Sequence, residues 1–234
     1  MRVFLSLLIA MSACFAPLPK AQSMQDGLNL YEKKRFKEAA AVFDRLCGRQ
    51  NARACFSLGF MYEGGQGVPK SDSKASRYYD RACKSRVAAA CFNLGLLYER
   101  HRRASQAEVV FYEACSLGHK NSCKRLALSY ERQGRNDLAV ALYDKSCGLK
   151  DARACFRLAK LYEDGNVTRQ NTKTALFHYS NSCSLGFGEA CAWLGRHHEP
   201  TDKALAKRYY GKACDENHSK SCADYKRLNE TAAE

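Results

Sequence analysis

A cysteine followed eight positions later by a second cysteine recurs six times in this 234-residue chain, and that recurrence constrains the fold more than any other feature. The pairs are Cys47/Cys55, Cys83/Cys91, Cys115/Cys123, Cys147/Cys155, Cys183/Cys191 and Cys214/Cys222. A longer pattern surrounds them. In the first five copies Leu stands three positions after the second cysteine, Gly or Ala at plus four and Tyr or His at plus seven, from Leu58, Gly59 and Tyr62 to Leu194, Gly195 and His198. Ala39, Ala75, Ala107, Ala139, Ala175 and Ala206 stand eight positions before the first cysteine, and Phe43, Tyr79, Phe111, Tyr143, Tyr179 and Tyr210 stand four before it. Successive first cysteines are 36, 32, 32, 36 and 31 residues apart. Self-similarity at such a period marks an array of supersecondary units, each burying its apolar face against its neighbours.

Each unit reads as two helices. Asn51 and Asp151 are N-cap residues for a first helix, which in the fourth copy runs to about Glu163. Leu at plus three and the aromatic at plus seven share one face, and Gly or Ala at plus four lets the partner helix approach closely. The second helix carries the recurring Ala and aromatic four residues apart, again on one face. The turn between them is long at Gly64-Gly65-Gln66-Gly67-Val68-Pro69 and Gly165-Asn166-Val167 and short at Gln133-Gly134-Arg135, which accounts for the two 36-residue intervals. At the start, Met24 replaces the second-type cysteine ahead of Tyr31 and Glu32; at the end, Ser219 to Ala233 forms a polar helix with Tyr225 in the Leu position and Asn229 in the aromatic one. The expectation is one all-α solenoid over 24–234, with about six αα repeats and a C-terminal capping helix.

Residues 1–21 read as a secretory signal peptide: Arg2 supplies charge, Val3 to Ala16 an apolar run, Pro17 and Pro19 its break, and Ala21 a cleavage point. The run falls short of the roughly 20 apolar residues of a transmembrane segment, and no second run follows it. Met11-Ser12-Ala13-Cys14 also resembles a bacterial lipobox, which makes Cys14 a candidate lipid anchor. Either cleavage accounts for the thirteenth cysteine. Twelve paired cysteines behind an export signal imply a periplasmic or secreted protein with a disulfide framework. The net charge of +14 is spread over all repeats without a nucleic-acid motif, so no nucleic-acid partner is expected. What remains is solvated helix surface, or attraction to an acidic partner.

The second helix Asp72-Ser73-Lys74-Ala75-Ser76-Arg77-Tyr78-Tyr79-Asp80-Arg81-Ala82, preceded by Gly67-Val68, resembles the Sel1-like repeat, a relative of the tetratricopeptide repeat. The 32-residue copies, such as the one containing Gln133 to Cys147, stand nearer the tetratricopeptide pattern. With cysteine pairs at spacing eight, residues 24–230 are similar to the Helicobacter cysteine-rich protein family. That resemblance implies a right-handed αα-hairpin solenoid in which each pair bridges the end of one helix to the start of the next. Gly48, Gly118, Gly148 and Gly186 are expected to reverse the chain between the bridged cysteines. Zinc is the other role for cysteines, but structural zinc sites want C-x₂₋₄-C spacings with histidines in step, and these are lacking. His197-His198-Glu199 with Asp202 is no better a metal site, because His198 takes the core aromatic position and adjacent helical residues face different ways. No metal and no cofactor is expected.

Relatives of this type include penicillin-binding proteins and weak β-lactamases, which is the alternative function here. Ser71-Asp72-Ser73-Lys74 matches the S-x-x-K element of serine β-lactamases. Lys173-Thr174-Ala175 lacks the Gly of a further element, and nothing matches the S-D-N element. Asp72 and Lys74 are what the repeat itself places at the start of a second helix, so no catalytic residue is assigned. The surface is more informative. In tetratricopeptide arrays the first helix lines a concave groove, and the shared Leu, Gly/Ala and Tyr positions map three columns onto it. Plus one holds Phe56, Phe92, Lys124, Phe156 and Ala192; plus five holds Phe60, Leu96, Leu128, Lys160 and Arg196; plus eight holds Glu63, Glu99, Glu131, Glu163 and Glu199. The glutamates read also as repeat consensus or as pairing with the next turn, and the apolar members also as packing between first helices. The expectation is an exported scaffold that grips a protein or peptide through Phe56, Phe60, Phe92, Leu96, Leu128 and Phe156. Acidic ligand residues would face Lys160 and Arg196.

Overall fold

Thirteen α-helices and no strand occupy the described residues, 23–165 and 170–230 of a computed structural model. The expected signal segment and Cys14 lie outside the described residues. The helices are α1 (Met24–Glu32), α2 (Phe36–Gly48), α3 (Ala52–Gly64), α4 (Asp72–Lys84), α5 (Ala88–Arg100), α6 (Ala104–Ser116), α7 (Lys120–Arg132), α8 (Asn136–Gly148), α9 (Ala152–Asp164), α10 (Thr172–Ser184), α11 (Gly188–His198), α12 (Lys203–Asp215) and α13 (Ser219–Glu230). Odd-numbered helices are the first helices of hairpins and even-numbered ones the second. Each packs chiefly on its sequence neighbours, as in an αα solenoid. Side-chain oxygens start several of them: Asn51 accepts from the Ala54 amide at 3.0 Å and Asp151 from the Ala154 amide at 3.0 Å.

The core repeats with the sequence. Leu58, Leu94, Leu126, Leu158 and Leu194 are buried beside Ala39, Ala75, Ala107, Ala139, Ala175 and Ala206. The aromatics four before each first cysteine are buried too, and several press against the small residue of the facing first helix. A Cβ on Gly59 would meet Tyr79 Cδ1 at 2.7 Å, and one on Gly95 would meet Phe111 Cε1 at 2.4 Å. Gly27 makes the same approach to Phe43, at 2.4 Å to Cε1. This contact corrects the register of α1: Gly27 takes the plus-four position, so Ser23 and not Met24 stands where a cysteine would, and Tyr31 falls in the glutamate column. Without a cysteine, the sequence has no anchor there, and Tyr31 and Glu32 imitate the repeat one residue out of step.

Six disulfides bridge the end of each second helix to the first turn of the next first helix. They are Cys47–Cys55, Cys83–Cys91, Cys115–Cys123, Cys147–Cys155, Cys183–Cys191 and Cys214–Cys222, with Cα–Cα distances of 4.7–4.8 Å. The second cysteines Cys55, Cys91, Cys123, Cys155 and Cys191 are 0–2% exposed, one turn before the buried leucines, so the bridges are part of the core. The chain between bridged cysteines turns the same way every time. The third residue after the first cysteine is left-handed: Gln50, Arg86, Gly118, Lys150, Gly186 and Asn217 have φ between 61° and 87° in this set. The following amide returns to a carbonyl five residues back, as from Asn51 to Leu46 at 3.0 Å and from His119 to Ala114 at 2.9 Å. Gly118 and Gly186 therefore reverse the chain as expected, whereas Gly48 and Gly148 end their helices and leave the reversal to Gln50 and Lys150. A non-glycine there costs about 1–2 kcal/mol, and the bridge and returning amide hold it in place. Disulfides in this number belong to an oxidising, extracytoplasmic compartment. Among the described residues no helix is long and apolar enough to cross a membrane.

Candidate partner-binding face

The plus-eight glutamates are spoken for inside the chain. Glu63 accepts from the Tyr79 hydroxyl at 2.8 Å and from Arg100 at 2.8 Å; Glu131 accepts from Tyr143 at 2.7 Å and Arg157 at 3.0 Å. Glu163 takes the Tyr179 hydroxyl and the Trp193 indole N–H, and Glu199 takes Tyr210 and Arg227. In the hairpin of Glu99 the aromatic is Phe111, which has no hydroxyl, and Glu99 pairs with Arg125 at 2.8 Å. Apart from Glu99, each glutamate thus ties the aromatic of its own hairpin to a donor in a later first helix. Burial, then the facing carboxylate, pushes the phenols of Tyr79, Tyr143, Tyr179 and Tyr210 above their ordinary value. Arg227 and then Tyr210 hold the Glu199 carboxyl below the usual range.

The apolar columns divide in two. Phe56, Phe92 and Phe156 of plus one are half-buried in the joints. Phe92 meets His119 in a tilted contact at 4.4 Å, and Phe156 meets Phe187 at 5.1 Å and Tyr179 at 5.5 Å. The plus-five residues lie further out. Phe60 is 47% exposed, Leu96 and Leu128 are half-buried, and Lys160 and Arg196 are exposed. Phe56 and Phe60 come together with Leu28 and Tyr31 of α1 around an apolar depression of about 120 Å³. Leu28, 38% exposed, extends the plus-five column by one helix. Sequence reasoning missed it because it placed α1 one residue out of register. Phe92 and Phe156 take no part in the lining of this depression, and each sits in its own joint.

The cysteines stand apart from this face. Cys55, Cys91, Cys123 and Cys191 immediately precede the plus-one column but point inward, at 0–2% exposure. Their sulfurs are spent in the bridges to Cys47, Cys83, Cys115 and Cys183, so none offers a thiol to a partner or a metal. The physical reason is helical geometry: neighbours in sequence face about 100° apart, and the plus-zero position falls on the side that meets the preceding second helix. Their role is structural.

Lys124 of plus one is not free. Its Nζ lies 2.6 Å from Asp151, which is 6% exposed and also caps α9. Replacing Asp151 by Ala should lower stability by about 2–3 kcal/mol in urea titration, since it removes a cap and leaves a half-buried ammonium unpaired. Asp151→Asn keeps a cap acceptor and should cost about half as much. Equal costs would show that the cap contributes nothing.

The remaining sequence candidates have local roles. Ser71 Oγ accepts from the Lys74 amide at 3.3 Å as the N-cap of α4, and the Lys74 ammonium lies over the Tyr62 ring at 5.1 Å. His197 stacks on Trp193 and His198 on Tyr209, while Asp202 caps α12 through the Leu205 amide. Among the described residues no cluster of three His, Cys, Asp or Glu side chains could hold a metal ion.

A family model described as Sel1 repeat matches residues 52–86, 88–100, 152–187 and 188–218. Among solved structures the chain is similar to a Sel1 repeat protein from Oxalobacter formigenes, with 22% identity over 83% of this chain and 85% of that one and a TM-score of 0.73. It is also similar to c5321, a protective antigen of uropathogenic Escherichia coli with an SLR fold, with 21% identity over 88% of this chain and 51% of that one and a TM-score of 0.64. Similarity to Helicobacter pylori cysteine rich protein B is 29% identity over 53% of this chain and 96% of that one, with a TM-score of 0.43. No curated protein matches.

Proposed function

Because this chain is a disulfide-stapled protein of Sel1 repeats, we propose that its first-helix face binds a peptide or protein partner in the periplasm or after secretion. Repeat scaffolds of this class generally serve protein interactions through extended surfaces. The observation that carries the reading is the apolar depression at the start of the face, where Phe60 and Leu28 stay exposed although a buried core lies directly beneath. Phe56, Phe60, Phe92, Leu96, Leu128 and Phe156 supply hydrophobic anchors, and Lys160 and Arg196 a basic end. A partner with an apolar segment followed by acidic residues matches that gradient. The glutamate column takes no part, being committed to tyrosines and arginines of the scaffold.

Peptides selected from a random library on the oxidised chain provide the ligand for a test. Phe60→Ala should weaken binding by about 1–2 kcal/mol without moving the melting temperature, because the ring is half in water. Phe92→Ala should cost on the order of 2 kcal/mol of affinity and some stability as well, since the ring fills a joint. Charge removal at Lys160 and Arg196 should weaken binding mainly at low salt. Tyr112→Ala and Arg77→Ala, on second helices, should change nothing; losses equal to that of Phe60→Ala would place the face elsewhere. The β-lactam alternative has its own readout: hydrolysis of nitrocefin that Ser71→Ala abolishes would replace the binding reading.

A further inference from the structure

A second site lies between two second helices, away from the first-helix face and independent of the reading above. A cavity of about 350 Å³, within the usual range of ligand pockets, opens between α8 and α10 over the Cys147–Cys155 bridge. Its walls include Asp144, Gly148, Phe177, His178 and Asn181, with Lys150 at its edge. His178 is only 7% exposed, yet its Nδ1 has no hydrogen-bond partner. A buried polar atom left unpaired costs about 1–3 kcal/mol. Asp144 makes no hydrogen bond or ion pair among the described residues, and the ring of Phe177 is 61% exposed at the mouth.

The chain itself shows what such a cavity holds. In the first joint the same positions are Asp44, Cys47, Tyr78 and Arg81. There the Tyr78 hydroxyl donates to Asp44 at 3.2 Å, and the Arg81 guanidinium crosses to donate to the Cys47 carbonyl oxygen at 2.8 Å. In the fourth joint Asn181 replaces the arginine and is too short to cross, so the space stays open. Asp144 and the His178 ring line it. We infer that this cavity binds the arginine side chain of a partner polypeptide, its guanidinium taking the place that Arg81 fills in the first joint. Asp144 supplies the counter-charge, the His178 ring forms one wall, and Phe177 covers the aliphatic stem and the cation's face. Lys150, which stands where the first joint has Gln50, opposes the cation and tunes the affinity down.

The probe is N-acetyl-arginine amide, titrated into the oxidised full chain and followed by amide chemical shifts, with the neutral isostere N-acetyl-citrulline amide alongside. Saturable shifts are expected at Gly148, His178 and Asn181, with citrulline about five- to tenfold weaker. Asp144→Asn should weaken arginine about five- to tenfold and leave citrulline unchanged. Lys150→Gln should tighten arginine binding. Asn181→Arg, which gives the cavity the chain's own guanidinium, should abolish binding while preserving the melting temperature. Absence of saturable shifts at these amides, equal binding of citrulline, or an Asn181→Arg chain that still binds would each overturn the assignment.

Discussion

Reduced under denaturing conditions and returned to native buffer, the chain is expected to lose its cooperative thermal transition. Cys47, Cys55, Cys91, Cys123 and Cys191 are 0–2% exposed, so a reductant reaches their bridges only when the joints open, and denaturant is needed to complete the reduction. Closing a loop of roughly nine residues contributes about 2–3 kcal/mol in the chain-entropy model, and six such loops nominally equal the whole ~5–15 kcal/mol stability of a domain. The array makes this loss severe. Each hairpin touches only its neighbours, so no long-range core holds a joint once its bridge is gone. Circular dichroism at the helical minimum should show a broad, low transition on heating after reduction and a sharp one before. Removing one pair, as in Cys214→Ala with Cys222→Ala, should cost about 2–3 kcal/mol, as a single loop does. A reduced chain that melts like the oxidised one would leave the bridges without a structural role.

Stability should also collapse steeply in alkali. Tyr79, Tyr143, Tyr179 and Tyr210 have folded-state pKa values raised above the ordinary value of 10, chiefly by burial and next by the facing glutamate. A raised folded pKa means that the unfolded chain releases the proton first. The stabilisation is therefore fully present below about pH 10 and drains away as pH rises towards the folded values. Each such phenol contributes a slope of about 1.4 kcal/mol per pH unit in that window, and four act together. Urea midpoints measured from about pH 8 to pH 11 should fall accordingly, with phenolate absorbance from these four appearing only as the chain unfolds. Tyr143→Phe should flatten the slope by at most about a quarter, since the phenols of Tyr78 and Tyr130 are raised as well. Buried phenols that ionise at their ordinary pH in a still-folded chain would contradict the tyrosine–glutamate ladder. Full recovery on rapid return to neutral pH separates this effect from damage to the disulfides.

The two kinds of feature were not equally visible in the sequence. The joints were legible because their logic is local: a fixed cysteine spacing, a fixed Leu–Gly/Ala–aromatic order and caps at Asn51 and Asp151 all act within a short stretch of chain. Glycine was a poorer guide to the turns. The bridge sets the left-handed residue at the third position whatever its type, and Gln50, Arg86 and Lys150 occupy it without advertising the fact. The first helix was misplaced by one residue, since only the contact of Gly27 with Phe43 fixes its register. The donors to the glutamates were also invisible. Arg125, Arg157 and Trp193 stand two positions after their cysteine, Arg227 five and Arg100 nine, so no single spacing marks them. The α8–α10 cavity was hidden for a further reason: it arises from one substitution, Asn181 at the place of Arg81, whose meaning depends on which helices are neighbours in space.

The most direct test of the proposed binding face is to map a library-selected peptide onto the oxidised chain by amide chemical shifts. The largest changes should fall on α1, α3, α5, α7 and α9, centred on Leu28, Phe60, Leu96 and Leu128 and ending near Lys160. Changes concentrated on α4, α6 and α8, around Arg77, Val109 and Tyr112, would contradict it.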